Sequence, residues 1–475
     1  MNAISTARQA TNVGGSTVDQ VSGGQYGRGG KRETDVVRGG ANMARSSRLG
    51  SGGILGSRRR RVLGAMVSLV ALVAVTACGS PEAQWQQPGG STAQALPAKL
   101  TFSHEKDAKD VSPGTPVSVQ VIDGTLETVT LTSNIGEVKG EFVNDTLWRS
   151  SEDLEYSKTY TLSVKGTGED GKTVEDTRSF STPTVRQGYY WNVYLKANTW
   201  MTLDGGTFGV GQPIVATFDD DVDRKIAEQT LTVKTNPPVE GSWSWDPNRN
   251  EAHWRPEKYW TPGTKVTVEA KVLGVTMTTD DNRVLHGKEN KSASFTIGPS
   301  KKVASINDQT HMMQVYIDNA LVRTIPVSMG RPNGYRDISG VFHDYRTGSG
   351  IHVVTEKHDP VEMRPALPCP LKIEGSPGCD PGYYVEIIPK AVRITNDGIY
   401  VHAASWSVGD QGYRNVSHGC VNISPANAAW FYDNFGAGDV VEIANTGKAL
   451  NPWDGLGDWT TPWDQWKKGS ALYVG

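Results

Sequence analysis

The sequence predicts a mainly β protein: two β-sandwiches in tandem, then a different β-rich domain with one or two helices. Three observations lead there. Val117-Ser118-Val119-Gln120-Val121 and Tyr160-Thr161-Leu162-Ser163-Val164 alternate in polarity, as half-buried strands do. The pattern recurs roughly 100 residues on. Only Ser424 to Gly436 carries a full set of helix start and stop signals.

Residues 1–77 read as a leader. The first 57 are rich in Gly, Ser and Arg without apolar period, so no fold is assigned to them. Arg58-Arg59-Arg60-Arg61 then precedes an apolar run from Val62 to Ala77, a basic segment and a hydrophobic segment in export-signal order. The run is short for a membrane span. It ends in Val75-Thr76-Ala77-Cys78, which resembles a bacterial lipobox and implies cleavage before Cys78 and its lipidation. An uncleaved anchor is the alternative, and Met43 is an alternative start. Either way the rest of the chain is expected outside the cytoplasmic membrane, and lipidation would tie it to the outer face. Residues 78–97, polar and bearing Pro, Gln and Gly, read as a tether.

Residues 98–184 and 185–299 read as the two sandwiches, immunoglobulin-like in strand pattern but without the cysteine pair of antibody domains. Val111-Ser112-Pro113-Gly114-Thr115-Pro116 is echoed by Phe208-Gly209-Val210-Gly211-Gln212-Pro213, and Trp148-Arg149 by Trp254-Arg255. Trp243, Trp245, Trp254 and Trp260 are expected in the core, with the modules acting as spacers; stacking of exposed aromatics on wall sugars is the other reading. Charge excludes one partner class. Residues 1–77 hold 11 Lys/Arg against 3 Asp/Glu, net +8, so the body carries −11 within the formal −3. An acidic body without a basic stripe does not suit nucleic acid.

The third domain is placed at 300–446. Two apolar runs flank Asp318-Asn319, a hairpin signal, and more β is expected at 351–354 and 384–388. A tail, 447–475, carries Trp453, Trp459, Trp463 and Trp466 and is expected to pack on this domain.

Chemistry concentrates in Ile399-Tyr400-Val401-His402 and Ser417-His418-Gly419-Cys420-Val421-Asn422. A thiol becomes nucleophilic when an imidazole near it in space takes its proton. Gly419 frees the backbone to approach a ligand, so the amides of Gly419 and Cys420 could face a developing oxyanion.

The His402 to Cys420 signature resembles that of the L,D-transpeptidase (YkuD-type) family, in particular its actinobacterial members with two sandwich modules. Pro326-Val327-Ser328-Met329-Gly330, Trp406-Ser407-Val408-Gly409 and Gly455-Leu456-Gly457-Asp458-Trp459 extend the similarity. The resemblance implies Cys420 as nucleophile, His402 as base and the Gly419 and Cys420 amides as oxyanion donors. It implies that Ser417 and His418 shape the pocket, that Asn422 bonds substrate, and that Tyr383, Trp406, Met329 and His358 line the pocket. The implied reaction releases D-Ala from a donor tetrapeptide stem and passes the acyl group to a diaminopimelate amine on a second stem. Carbapenems are the implied covalent inhibitors. No metal or cofactor is needed.

Two departures stand out. Ala403 replaces the usual serine after the base, so the Ala403 carbonyl is expected to orient His402. The flap from Asp359 to Gly382 fits the family poorly. Within it Cys369 and Cys379, which enclose nine residues in an oxidising compartment, are expected to pair. Competing readings are a wall-peptide hydrolase using the same cysteine, a non-catalytic wall binder, and a zinc site drawn from His343, His352, His358, Cys369 and Cys379.

Overall fold

The computed structural model describes residues 95–336, 340–364 and 386–475, all within one compact unit, Gly89–Gly475. Cys78, Cys369, Cys379 and Tyr383, with their expected lipidation, disulfide and pocket roles, lie outside the described residues.

In the first sandwich, one sheet runs in the order Lys99–Phe102, Ser118–Ile122, Leu147–Ser150, Gly140–Asn144. The other runs Gly136–Val138, Gly124–Ser133, Thr159–Gly168, Thr173–Ser181. Alternation turns Tyr160, Leu162 and Val164 inward onto Val119, Leu131 and Trp148. The second sandwich repeats the plan, and its four expected core tryptophans are buried. The two share a detail: a Cβ on Gly140 would lie 2.0 Å from Trp148, and one on Gly241 2.2 Å from Trp254. Each glycine makes room for an indole on the neighbouring strand.

In the third domain, a five-stranded sheet runs Ala320–Pro326, Met312–Ile317, Lys302–Asn307, Val440–Ala444, Gly350–Val353. The hairpin closes through Asp318 and Asn319, both at positive φ, 49° and 67°, as a two-residue turn with right-handed twist requires. A second sheet, Glu356–His358, Ala391–Arg393, Tyr400–Ala403, Val421–Ile423, carries the chemistry-bearing segments. The helix Pro425–Asn434 starts where Ser424 Oγ accepts the Asn427 N–H and buries Ala428 and Phe431 beneath that sheet's neighbours.

The second sandwich is not a detachable spacer. Gly209 N donates to Ala437 O at 2.9 Å and Gly211 N to Gly438 O at 2.8 Å, so two backbones meet with no side chain between. A Cβ on Gly209 would lie 2.3 Å from Asp439 N. Val303 and Val440 of the third domain belong to the same apolar cluster as Trp191, Trp243 and Trp254.

The tail packs on the third domain, where Leu450 N donates to Ser349 O at 2.9 Å and Thr460 Oγ1 accepts the Ile351 N–H at 2.8 Å, but its tryptophans also dock on the second sandwich. Trp459 Nε1 donates to Gly211 O at 2.7 Å and Trp466 Nε1 to Ser242 O at 2.9 Å. The physical reason is Arg255, a buried cation whose guanidinium lies 4.7, 5.4 and 4.6 Å from the rings of Trp459, Trp463 and Trp466. Indole faces are the surface such a cation prefers. Beside it, buried His253 meets Asp458 at 2.6 Å through Nδ1 and Glu251 at 3.1 Å through Nε2.

Candidate active site

His402 and Asn422 are register partners on parallel strands, and Tyr400 and Cys420 stand two positions earlier on each segment. Side chains alternate along a strand, so all four face the same side. This puts a thiol and an imidazole from positions 18 residues apart on one face of the sheet.

The imidazole is buried, and its Nδ1–H donates to the Ala403 carbonyl at 2.9 Å. That bond fixes the tautomer and leaves Nε2 as a lone-pair acceptor. Burial pushes His402 down to about 4 and the Cys420 thiol up to about 12, so both groups are neutral at pH 7. At rest, Cys420 Sγ accepts the Tyr400 N–H at 3.4 Å and faces the Gly398 carbonyl at 3.8 Å. Both partners are backbone groups, and so carry no residue-type signal in the sequence.

The loop before the thiol is held by hydroxyls. Ser417 Oγ donates to the Cys420 carbonyl at 2.7 Å and accepts the Gly419 N–H at 3.1 Å. Thr347, which sequence reading missed, donates to the Gly419 carbonyl at 2.7 Å and accepts the Gly330 N–H at 3.0 Å. Gly419 has φ +143°, a conformation that favours glycine, and a Cβ there would also sit 2.6 Å from Ile399 Cδ1 and displace that side chain.

Several residues fall elsewhere than expected. The Gly419 amide is already engaged by Ser417 Oγ, whereas the Cys420 N–H has no acceptor among the described residues. Asn422 is buried opposite His402 in the register, its Nδ2 donates to Ser407 Oγ at 3.0 Å, and its Oδ1 has no partner among the described residues. Met329 lies wholly inside the core formed with Val401 and Val421, because strand alternation turns it inward. His418 is engaged by other side chains: Arg331 Nη2 donates to its Nε2 at 3.1 Å, and its ring packs edge-on against Tyr345. Trp406 stands at the rim, 57% exposed, with ring centroid 6.0 Å from that of His402. His358 lies beyond Tyr400, its Nε2 3.1 Å from Glu356. His343, His352 and His358 do not converge, and no metal-holding cluster forms among the described residues.

A half-buried thiol sharing a sheet face with a tautomer-fixed imidazole defines the site of a cysteine-nucleophile enzyme. Residues 108–276 match the bacterial Ig domain model and residues 301–443 the L,D-transpeptidase catalytic domain model. L,D-transpeptidase 2 of Mycobacterium tuberculosis is 36% identical over 87% of this chain and 96% of its own. L,D-transpeptidase 5 of the same species is 35% identical over 79% of this chain and 77% of its own. A solved L,D-transpeptidase complex with imipenem aligns over 53% of this chain and 99% of its own, at 30% identity and TM-score 0.41. The chain belongs to the L,D-transpeptidase family, enzymes that act on peptidoglycan cross-links through a cysteine.

Proposed function

We propose that the enzyme takes a donor tetrapeptide stem, releases its terminal D-Ala, and transfers the acyl group to the side-chain amine of diaminopimelate on a second stem. The observation that carries this is the Nδ1–H bond from His402 to the Ala403 carbonyl, which leaves Nε2 as the base for a thiol on its own sheet face. Because thiol and imidazole are both neutral at rest, the Cys420 proton passes to Nε2 as sulfur attacks the carbonyl, rather than beforehand. The Cys420 N–H is the donor free to meet the oxyanion. Thr347, donating to the Gly419 carbonyl of the same peptide unit, holds that amide in place, Ser417 braces the peptide units on either side, and Gly419 supplies the backbone conformation. The imidazolium then protonates the departing D-Ala nitrogen.

A strained β-lactam carbonyl suits the same thiol, so carbapenems are covalent inhibitors in this reading. Cys78 lipidation would hold the enzyme at the outer membrane face, in reach of the wall; a mature N-terminus mapped elsewhere counts against it. The central test is incubation with a disaccharide-tetrapeptide and mass analysis of products. Cross-linked dimer and free D-Ala are expected from the native protein and neither from Cys420→Ala. D-Ala release with hydrolysed stem alone would make the enzyme a carboxypeptidase.

A further inference from the structure

Arg393 and Tyr400 are register partners on antiparallel strands, and residues 394–399 form the turn that joins them. Two backbone groups of this hairpin hold the resting thiol. The Tyr400 N–H donates to Cys420 Sγ at 3.4 Å, and the Gly398 carbonyl lies 3.8 Å from it. The first contact strengthens as sulfur gains charge, because a hydrogen bond to an ionised group favours ionisation. Where the thiol sits therefore depends on where the turn sits.

Internal bonds close the turn but do not place it. Its tip is Asn396-Asp397-Gly398, with Gly398 at φ +100°. Thr395 Oγ1 accepts the Ile399 N–H at 3.0 Å and donates to the Asp397 carboxylate. Two further side chains grip the backbone. Arg393 donates through Nε to the Thr395 carbonyl at 2.9 Å and through Nη2 to the Asn396 carbonyl at 2.7 Å. From the tail, Asp454 Oδ1 accepts the Asp397 N–H at 2.9 Å. The Asn396 carbonyl and the Asp397 N–H belong to one trans peptide unit and point in opposite directions, so arginine and aspartate clamp it across its width. Arg393 is itself aimed: its Nη1 donates to Glu356 Oε1 at 2.8 Å, and the Trp200 ring of the second sandwich lies 4.1 Å from its guanidinium. A planar fork that meets two carbonyls at once is a geometry that lysine does not reproduce.

We propose that Arg393 and Asp454 are positioning residues for the nucleophile, clamping the 394–399 turn so that its Gly398 carbonyl and the Tyr400 N–H hold the Cys420 thiol. The assignment rests on Cys420 as the nucleophile and not on where the acyl group goes next. Neither side chain touches the thiol; both act through the backbone of the turn. The tail and, through Trp200, the second sandwich thereby take part in setting the reactive geometry. A group held by main-chain contacts on a loop is only as well placed as the side chains that fix that loop.

The test uses the purified protein and imipenem. Stopped flow gives the acylation rate, and Raman spectroscopy gives the S–H stretching band of Cys420 as the difference from Cys420→Ala. Asp454→Ala and Arg393→Ala should each shift that band and slow acylation by about tenfold or more, since a misplacement of about 1 Å can cost about a hundredfold. Asp454→Asn keeps the acceptor and should show the native band with a rate within about twofold of native. Arg393→Lys keeps a cation beside Glu356 and Trp200 but lacks the fork, and should stay slow. A native band and rate in both alanine variants overturns the clamp. So does slow acylation with an unmoved band, which marks a general loosening of the fold, and so does full rescue by Arg393→Lys. Native protein labelled by imipenem elsewhere than at Cys420 instead overturns the nucleophile assignment, and the positioning role with it.

Discussion

Asp458→Asn tests the buried ionic latch between the tail and the second sandwich. The latch is the triad Glu251, His253 and Asp458, with His253 held between two carboxylates at 3.1 and 2.6 Å. Desolvation alone would lower the imidazole, but the Asp458 and Glu251 carboxylates outweigh it and raise His253 from 6.5 to about 10. At 1.36 kcal/mol per decade, that gap corresponds to about 5 kcal/mol for the two carboxylates together. Removing one of them costs about 3–5 kcal/mol, which lies within that total. At roughly 2 °C per kcal/mol, the rate for a unit of about 200 residues or more, the melting midpoint should fall by about 6–10 °C at pH 7. The sign with pH follows from a raised value. The contribution is complete below 6.5 and is lost as pH rises through about 10. The assay is thermal unfolding of native and Asp458→Asn protein at pH 5, 7, 9 and 10.5. Lysines and tyrosines titrate in both proteins, so the difference between them is the quantity to read. A gap below 2 °C at pH 7, or one as wide at pH 10.5 as at pH 7, would refute the latch.

The remaining predictions concern the site. Ala403→Ser should change the rate of carbapenem acylation by less than about threefold, or 0.65 kcal/mol, because the backbone carbonyl already holds His402; a tenfold gain in stopped-flow acylation would show that a side chain was missing. Ser417→Ala removes two hydrogen bonds from the nucleophile loop and should slow acylation by about tenfold, the effect of roughly 1.4 kcal/mol, while lowering the melting midpoint by about 2–4 °C. Since burial places His402 near 4 and Cys420 near 12, the acylation rate should be level from pH 5 to 9 and fall only as the imidazole protonates near pH 4. An inflection near pH 6.5 in that profile would mean that the imidazole is solvated.

Much of this was legible in the sequence because it is local. Strand alternation at Tyr160, Leu162 and Val164, the Asp318-Asn319 turn and the Ser424 cap each depend on neighbours a few residues away. The Cys420 and His402 pair was legible as a motif, though the register that puts both on one face was not. Met329 was misplaced because its side chain's direction depends on what its segment pairs with. The docking of the tail was hidden for the same reason: Trp466 meets Ser242 across 224 positions of chain. Arg255 looked like an ordinary strand arginine, and only its burial explains why the tail is so rich in tryptophan.

The glycine seam at Gly209, Gly211 and Gly438 sets a limit on how the protein can be cut. A fragment beginning at residue 300 would carry the whole sheet of Cys420 and His402, yet it would leave Ala437 O and Gly438 O without their donors. Val303 and Val440 would be stripped of the indoles that cover them, and the tail would lose the arginine on which it closes. Such a fragment should express as aggregate. The shortest soluble enzyme therefore begins ahead of Trp191, with the second sandwich entire.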